Sequence, residues 1–481
     1  MTSRRHSFPD RNELPQVLDL VVNEARGYLE GLDQRPVLSQ RVEESAASFQ
    51  APLPDTGGGA TAALRQLIDD GWDAAAATSG PRCFHFVIGG VTPAALGADW
   101  LASLLDQPAY TWISSPLGVQ LELVSLSWLK DLFDLPDYWS GVFTTGATMA
   151  NFVGLAAARQ WWAERHGVDI SENGFAGLPG VPVFSSGHIH ASAVKVLAML
   201  GIGRSSVKRL ALGTTGGLDL RAMEKALIDL DGAPAILIGN AGEVNAGEFD
   251  PIEDMANLAE KYNAWLHVDG AFGLFARVTE GKKHLAKGVE RAHSVIVDGH
   301  KWLNVPYDCG FAFVHDVGLM GRAFAYTAAY LPSPDDPHPT LGAIGPESSR
   351  RARALAVWAT LRAYGRKGYQ ELIENHLSLA QRMADLIDEA PDLERLADVQ
   401  LNIVCFRFNP GHVPESELDD LNRRLGESIL SDGRVFAGTT SYRGKIALRP
   451  AIVNWRTREK DVDFFVEVVR ELAHALLPAD S

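Results

Sequence analysis

Lys301 stands where a lysine is unexpected. It follows His300 in the sequence VDGHKW, residues 297–302, directly after the run 294–297 (SVIV), which predicts a buried strand. A charged ammonium group is costly to bury, but loss of water can hold a lysine amine neutral, and a neutral amine is a nucleophile. The most common use of such a lysine is a Schiff base with a carbonyl compound. For this stretch taken by itself, a solvated lysine on a surface loop remains the alternative.

Three further polar groups come after predicted strands. Asp269 follows the run 265–268, His190 precedes a helix after the strand 181–185, and the stretch 144–148 (TTGAT) precedes another helix. Because parallel α/β sheets bind ligands at the carboxyl ends of their strands, these groups are expected at one edge of a sheet. Taken singly, Asp269 could close an Asx-turn, His190 could cap its helix or lie in the core, and the threonines could be ordinary caps.

Together the four features describe one ligand. A helix N-terminus favours a phosphate, an imidazole can stack on a flat ring, a buried carboxylate can pair with a basic ring nitrogen, and a lysine can take an aldehyde. Pyridoxal 5′-phosphate has all of these groups. The conjunction, in this chain order, therefore predicts a pyridoxal-phosphate site.

Alternating strands and helices are predicted to position these groups between residues 140 and 316. Continuous apolar runs are typical of parallel strands covered on both faces, so we predict an α/β fold with a mostly parallel sheet sandwiched by helices. The predicted strands are 181–185, 235–238, 264–268, 295–297 and 311–314. The predicted helices are 148–159, 191–200, 219–230 with Asp219 as its cap, and one that starts at 250–251.

The pattern changes after about residue 350, where the order of elements is typical of a smaller α+β domain. The predicted elements are a long helix at 351–382, a strand at 401–408, a helix at 417–428, strands near Val435 and Ile446, and a final helix at 461–477. We therefore predict an N-terminal helical segment with a Pro/Gly-rich linker at 45–59 (1–80), a large cofactor-binding α/β domain (81–350) and a small C-terminal α+β domain (351–481).

The composition argues against several classes of function. The 481 residues carry a formal net charge of −16, whereas a surface for nucleic acid or an anionic membrane requires a basic patch. The three cysteines are far apart and form no metal or disulfide motif, which is typical of a reduced setting. No secretory signal and no run of about 18–20 apolar residues is present. A cytoplasmic protein without a metal site is predicted.

The motifs resemble those of the pyridoxal-phosphate-dependent (group II) amino-acid decarboxylases, the family of the aromatic-L-amino-acid and glutamate decarboxylases. The similarity extends from about Pro81 to Val466. It is carried by PRCFHF, TWISSPLGVQLE (111–122), TTGATMANF (144–152), HASAVK (190–195), HVDGAFG (267–273), GHKWLNVPYDCG (299–310) and SRRARALAVW (349–358). The resemblance implies the fold of type I pyridoxal-phosphate enzymes, a homodimer with sites at the subunit interface, and decarboxylation of an L-amino acid to an amine and CO2.

The resemblance also implies roles for individual residues. Lys301 would form the Schiff base, and Asp269 would pair with the ring nitrogen. His190 would stack on one face of the ring, with Ala271 against the other. The positions that would contact the phosphate are Gly146, Ala147, Thr148 and His300.

Three features depart from the family pattern. Asp298 stands where several relatives carry an asparagine near the phosphate; a second anion there is unfavourable unless it is turned away or hydrogen-bonded, and we expect its side chain to point elsewhere. Residues 242–245 (GEVN) replace a threonine-rich turn. The segment 331–343 matches a mobile catalytic loop whose tyrosine, in relatives, protonates Cα. It has no tyrosine past Tyr330, and His338 is either its proton donor or a solvated loop residue.

Substrate specificity is weakly encoded. Phe84 and Phe86 lie in the stretch 83–87, where the family lines the substrate pocket; unless they are core residues, they favour an aromatic or hydrophobic side chain. Arg449 could bind a substrate carboxylate or close a structural ion pair. Two alternatives stay open. One is another pyridoxal-phosphate reaction on this fold, either decarboxylation-coupled oxidative deamination to an aldehyde or transamination, and the other is a non-catalytic binding protein.

Overall fold

The computed structural model describes residues 11–213, 215–326 and 336–478. Tyr330 and the first part of the predicted catalytic loop, residues 331–335, lie outside the described residues. The helices are α1 (Leu14–Gly31), α2 (Val42–Ala47), α3 (Ala60–Gly71), α4 (Pro93–Leu105), α5 (Pro116–Leu132), α6 (Ala147–Glu164), α7 (Ile170–Asn173), α8 (Ala191–Met199), α9 (Leu220–Ile228), α10 (Ile252–Lys261), α11 (Val317–Phe324), α12 (Ala354–Glu389), α13 (Glu415–Asp432) and α14 (Glu459–Ala475). The strands are β1 (Ser140–Thr144), β2 (Val183–Ser185), β3 (Val207–Arg209), β4 (Ala235–Asn240), β5 (Ala264–Asp269), β6 (Ser294–Asp298), β7 (Gly310–Val314), β8 (Leu393–Arg395), β9 (Phe406–Phe408), β10 (Thr439–Tyr442) and β11 (Lys445–Leu448).

The large sheet has the strand order β1-β7-β6-β5-β4-β2-β3. Strand β7 pairs antiparallel with β1 and β6, while the pairs from β6 through β5, β4 and β2 to β3 are parallel. Every residue of β4, β5, β6 and β7 is buried, as expected for apolar strands with helices over both faces. The carboxyl ends of the parallel strands therefore meet along one edge.

The helices and strands predicted between residues 140 and 316 are present, with shifts of a few residues at their ends. Strand β3 lacked a strong signal because two of its three residues, Lys208 and Arg209, are exposed at the edge of the sheet. Helix α10 begins at Ile252, so Pro251 is its N-cap rather than its first helical residue. The predicted mostly parallel sheet is confirmed.

Helix α6 is a buried helix whose packing positions one end of the site. It is rich in alanine, tryptophan and other apolar residues on all sides, and most of its residues from Ala150 to Ala163 are buried. A helix that is apolar all round belongs in a core. It packs against β5, β6 and β7 on one side and against α8 on the other. Its N-terminus therefore points to the edge where the parallel strands end.

The small sheet has the antiparallel order β10-β11-β9-β8 and packs against α13 and α12. The predicted strand at 401–408 was too long: β9 covers Phe406–Phe408, and Ile403 makes only an isolated bridge. The strand predicted near Val435 is wrong, because this segment contributes a single bridge, from Phe436 to Cys83. Buried apolar residues stand at both places, and periodicity does not separate buried coil from buried strand.

The remaining elements match the sequence in outline. The long helix α12 extends to Glu389 and is interrupted at Gly365, whose φ is 61°. The predicted linker begins inside α2, and residues 48–59 connect α2 to α3 without regular structure. Within the described ranges, no helix is long and apolar enough to cross a membrane.

Candidate active site

A cavity of about 380 Å³ opens at the carboxyl edge of the large sheet. Its wall comes from the segments that follow β1, β2, β4, β5 and β6, as expected for a ligand site in this class of sheet. All eight residues that the sequence assigns to a cofactor line it: Gly146, Ala147, Thr148, His190, Asp269, Ala271, His300 and Lys301. The predicted convergence of these residues is therefore present.

Lys301 is held in place by its backbone. The adjacent Trp302 is fully buried and donates from its indole N–H to His376 Nδ1 at 2.8 Å. Gly89 N donates to the carbonyl of His300 at 3.2 Å, and a Cβ on Gly89 would lie 1.6 Å from the carbonyl oxygen of Lys301. This close packing fixes the chain on both sides of the lysine, while its amine reaches into the cavity.

Asp298 does not point elsewhere, and that expectation is wrong. Its carboxylate is buried and faces the cavity, with Oδ2 at 3.0 Å from Lys301 Nζ and 3.6 Å from His300 Nε2. Its Oδ1 accepts from the backbone N–H of Ala147 at 2.5 Å. A helix N-terminus and an ammonium group both stabilise an anion, which explains why a carboxylate is tolerated here.

The N-terminus of α6 is shaped by Gly146. Its φ of 145° is a conformation that favours glycine, and a Cβ there would lie 2.8 Å from Cε1 of His300. Thr144 Oγ1 accepts from Gly146 N at 3.4 Å. The first turn of a helix leaves N–H groups without intrahelical partners, so Ala147 and Thr148 present an anion-binding edge to the cavity.

Asp269 ends strand β5 and is 6% exposed. Its Oδ2 accepts from the side-chain amide of Asn151 at 3.0 Å, and its Oδ1 accepts from the backbone N–H of Ala271 at 3.2 Å. Both bonds stabilise the ionised carboxylate. The group is thus prepared to face a positive or protonated partner in the cavity.

His190 is the N-cap of α8, so the capping interpretation and the cavity position are both present. Its Nδ1 accepts from the backbone N–H of Ser192 at 3.2 Å and lies 2.7 Å from the Ser192 hydroxyl. Burial lowers the pKa of His190 despite the opposing charge of Asp269, and Lys301 lowers it further. The imidazole is therefore a neutral, flat surface next to Asp269.

His300 is fixed by contacts on two sides. Its ring stacks on Tyr307, with 4.2 Å between centroids, and its Nδ1 accepts from Cys309 N at 3.3 Å. Burial lowers the pKa of His300, although Asp298 opposes this shift. Since Nδ1 is an acceptor, the neutral ring carries its proton on Nε2, which can donate toward the cavity.

None of the four residues assigned to the substrate is among the described residues of the cavity wall. Phe84 is buried in the core of the small sheet, with its ring edge-on to Phe465, and Phe86 is 59% exposed. His338 stacks on Trp112 and bonds to Asp336, and it is not among the described residues of the cavity wall. Arg449, just past β11, is buried, and its Nη1 has no hydrogen-bond partner within the described ranges.

Among the wall residues, His188 was not singled out from the sequence, and Glu243 was noted only as part of the segment 242–245 that departs from the family pattern. Glu243 is buried, and its Oε2 accepts from Asn245 N at 2.7 Å and lies 4.0 Å from His188 Nδ1. Burial lowers the pKa of His188, but Glu248, Glu243 and Asp250 together outweigh this and raise it. The signal was available, because His188 follows β2 and Glu243 follows β4, just as polar residues follow β5 and β6. The remaining wall includes the apolar residues Met149, Val244 and Phe272.

The donor set fits pyridoxal 5′-phosphate. A primary amine, an ionised carboxylate, a neutral imidazole and a helix N-terminus converge on a cavity whose volume falls in the range of small-ligand sites. In addition, Gly146 in the cavity wall leaves space that a side chain would fill. The aldehyde, the ring, the ring nitrogen and the phosphate of that cofactor each have a matching group in the wall.

Comparison with known proteins also indicates a pyridoxal-phosphate enzyme. The family model described as "Pyridoxal-dependent decarboxylase conserved domain" matches residues 68–409. The chain is 27% identical to the aromatic-L-amino-acid decarboxylase of Bacillus atrophaeus, over 95% of this chain and 94% of the relative. It is 29% identical to an L-2,4-diaminobutyrate decarboxylase of Rhizobium meliloti (strain 1021), over 97% and 92%. It is 27% identical to a phenylacetaldehyde synthase of Arabidopsis thaliana, over 97% of both chains.

Solved structures share the architecture. The crystal structure of Oryza sativa TDC with PLP and tryptamine superposes with a TM-score of 0.90, covering 98% of this chain and 99% of that chain at 24% identity. Mouse CSAD superposes with a TM-score of 0.88 at 23% identity, covering 97% and 99%. These similarities confirm the predicted fold, with its mostly parallel sheet and its smaller C-terminal α+β domain.

Proposed function

Because the chain belongs to the family of pyridoxal-dependent decarboxylases, we propose that it decarboxylates an L-amino acid with an aromatic or hydrophobic side chain to the amine and CO2. The enzyme is a carboxy-lyase, and its cofactor is pyridoxal 5′-phosphate. The observation that carries the proposal is the convergence of Lys301, Asp269, His190 and the N-terminus of α6 on one cavity.

The cofactor would be held at both ends. When bound, it supplies an aldehyde that condenses with amines and a ring that accepts the electron pair left behind as CO2 departs. Lys301 would provide the amine for the aldehyde, and Asp269 would hold a proton at the ring nitrogen. His190 would cover one face of the ring and Ala271 the other.

The phosphate would lie at the start of α6. The N–H groups of the first turn, at Ala147 and Thr148, and the helix dipole favour an anion there. Gly146 lets the backbone approach closely, and His300 offers an Nε2 proton. Asp298 competes for the same N–H group and would have to share it or give it up.

Arg449 is proposed to bind the substrate carboxylate. It is 8% exposed, its Nη1 lacks a partner in the described part of the chain, and its charge is felt at His190 and at Glu243 of the cavity wall. A buried guanidinium without a full set of acceptors is costly, and a carboxylate would satisfy it. This favours the substrate interpretation over a structural ion pair.

Apolar wall residues support the aromatic assignment. Phe272, Val244 and Met149 line the cavity, and an apolar lining favours a hydrophobic side chain. Among the relatives, an aromatic-L-amino-acid decarboxylase is similar over nearly the whole chain. The assignment of an aromatic or hydrophobic substrate therefore rests on these three residues and not on Phe84 and Phe86.

A second candidate substrate is an amino acid with a cationic side chain. Glu243, a buried carboxylate on the wall, could pair with a substrate ammonium group. The similar diaminobutyrate decarboxylase acts on such an amino acid by its name. Both oxygens of Glu243 already accept backbone N–H groups of its own turn, which reduces their capacity for a substrate and keeps this candidate second.

The chain is proposed to work as a homodimer with His338 reaching the neighbouring site. Large apolar side chains are exposed on α1, on α4 and at Ile113, for example Leu14 at 59% and Leu104 at 73%. Exposed apolar residues of this size are typical of protein interfaces. His338 lies outside the cavity of its own chain, so donation of a proton to Cα would occur across that interface.

An amino-acid panel with product identification tests the proposed function. We expect tyrosine, tryptophan or phenylalanine to give an amine and CO2, and diaminobutyrate, lysine, glutamate and aspartate to react poorly. Preferential turnover of diaminobutyrate would select the second candidate. An aldehyde, the product in the name of the similar phenylacetaldehyde synthase, would replace the decarboxylase assignment if ammonia and peroxide formed with it, and so would a keto acid. Conversion of no amino acid in the panel would contradict the catalytic proposal.

A further inference from the structure

A buried file of polar side chains lies behind Asp269, on the side away from the cavity. Asn151 Nδ2 lies 3.0 Å from Asp269 Oδ2, and Asn151 Oδ1 lies 2.7 Å from His267 Nε2. His267 Nδ1 lies 2.7 Å from Ser294 Oγ, which in turn lies 3.0 Å from Trp265 Nε1. Asn151, His267, Ser294 and Trp265 are all fully buried. Four hydrogen bonds therefore connect an indole in the core to the carboxylate in the cavity.

The chemistry of the two ends sets the direction of every bond. An indole N–H can only donate, and an ionised carboxylate can only accept. The amide of Asn151 must therefore turn its nitrogen to Asp269 and its oxygen to His267. His267 then carries its proton on Nε2 and accepts at Nδ1 from the Ser294 hydroxyl, which accepts from Trp265. All the donors point toward Asp269.

Asn151 also serves the second cofactor-facing residue. Its amide nitrogen lies 3.4 Å from Ser192 Oγ, and that hydroxyl is 2.7 Å from Nδ1 of His190. Since Nδ1 of His190 already accepts from Ser192 N, the His190 proton is on Nε2. One amide thus divides its two hydrogens between the Asp269 branch and the His190 branch.

The fold makes room for this file. Gly154 lies three residues after Asn151 on α6, and a Cβ there would lie 2.7 Å from Cε1 and 2.8 Å from Nδ1 of His267. Glycine in the middle of a helix is unfavourable compared with alanine, so its presence requires a reason. The reason is the approach of the imidazole. Burial lowers the pKa of His267 to about 4, so the ring is neutral and adds no net charge to the file.

We infer that Asn151 and His267 are positioning residues, which keep Asp269 ionised and orient Asp269 and His190 toward the cofactor ring. The inference rests on the proposed role of Asp269 at the ring nitrogen. Neutral donors aligned toward a carboxylate favour its charged form without placing a competing cation in the core. Although these side chains lie outside the cavity, they thereby help to keep the ring nitrogen protonated.

The test measures the protonation of the ring nitrogen directly. Holoenzyme loaded with ¹⁵N-labelled pyridoxal 5′-phosphate is followed by NMR over a range of pH, and the dissociation constant of the cofactor is measured beside it. In the parent protein we expect a protonated nitrogen throughout. In His267→Phe we expect the nitrogen to lose its proton at a pH lower by at least about one unit, with cofactor affinity about tenfold weaker. In His267→Gln, which keeps a donor for Asn151, the dissociation constant of the cofactor should stay within about threefold of the parent value.

Two further pairs keep the test decisive. If His267→Phe does not fold, Ser294→Ala decides, since it removes the hydroxyl that donates to His267 and disconnects Trp265; a parental ¹⁵N shift in the folded variant overturns the inference. Gly154→Ala displaces the imidazole without deleting a donor and should resemble His267→Phe, while Gly321→Ala in α11, with open space around it, should not. Asp269→Asn distinguishes failure of this inference from failure of the proposed role of Asp269. If the ring nitrogen loses its proton in Asp269→Asn but not in His267→Phe, only the inference about Asn151 and His267 is contradicted. A parental shift in Asp269→Asn removes the proposed role of Asp269 itself.

Discussion

The carboxylate of Asp298 lies between two positive groups of the cavity, the ammonium of Lys301 and the N-terminus of α6. The sequence indicated an unfavourable second anion and predicted that it would turn away. A hydrogen-bonded anion was the alternative, but its partner could not be identified, because Ala147 is 151 residues away along the chain and is brought close by the packing of α6 against β6. Electrostatic reasoning from the sequence cannot include partners that only the fold brings close.

Replacing this anion should strengthen cofactor binding. In Asp298→Asn we expect the dissociation constant of pyridoxal 5′-phosphate to fall about tenfold, equivalent to about 1.4 kcal/mol, because the like charge beside the phosphate is removed while an oxygen for Ala147 N is kept. Titration of the apoenzyme followed by fluorescence measures this. Asp398→Asn, at a position whose side chain is 98% exposed, is the control. Weaker binding in Asp298→Asn would show that the carboxylate supports the site.

At the scale of elements, the edge where β1, β2, β4, β5 and β6 end carries the whole cavity. The apolar runs predicted these strands, and the parallel-sheet rule placed Lys301 and Asp269 together. What the sequence did not provide was the inner support, Asn151 and His267, since an asparagine on an apolar helix and a histidine inside a strand carry no periodic signal. Nor did it place Phe84, because a core phenylalanine and a pocket phenylalanine have the same local pattern.

The start of α6 depends on Gly146. In Gly146→Ala, the strained φ and the clash with His300 should lower the free energy of unfolding by about 1–3 kcal/mol, and cofactor affinity should fall at least about tenfold. Gly177→Ala separates the two effects, because Gly177 also has a positive φ, of 79°, but has open space around it. We expect that control to lose stability while its cofactor affinity stays unchanged, as measured by urea unfolding and by cofactor titration. Equal affinity in both variants would contradict the anion site at this helix.

At the scale of the whole molecule, the buried histidine His376 connects distant parts of the fold. His376 on α12 accepts from the indole of Trp302 and lies 3.0 Å from the carbonyl of Asn454 through Nε2, and so connects the helix to the segment after Lys301 and to the C-terminal region. Burial lowers its pKa to about 4. Above its unfolded pKa of about 6.5 the residue is neutral in both states; as pH falls from there to about 4, the unfolded state binds the proton first.

Stability should therefore fall in acid, and part of the loss belongs to His376. Between pH 7 and pH 5, the linkage relation gives a decrease of about 2 kcal/mol in the free energy of unfolding from this residue. His376→Gln removes the titration and should flatten the dependence by that amount, whatever its stability at pH 7. Urea unfolding followed by circular dichroism at each pH measures both proteins. Parallel curves for the two would show that His376 is not held neutral.

The central claim is that Lys301 is the covalent anchor of the cofactor, and borohydride reduction tests it most directly. The loaded enzyme is reduced, digested and analysed by mass spectrometry, with Lys301→Ala treated in parallel. We predict a single peptide that carries the reduced pyridoxyl group on Lys301, and none in the variant. A label on another lysine, or an equal label in Lys301→Ala, would contradict the account.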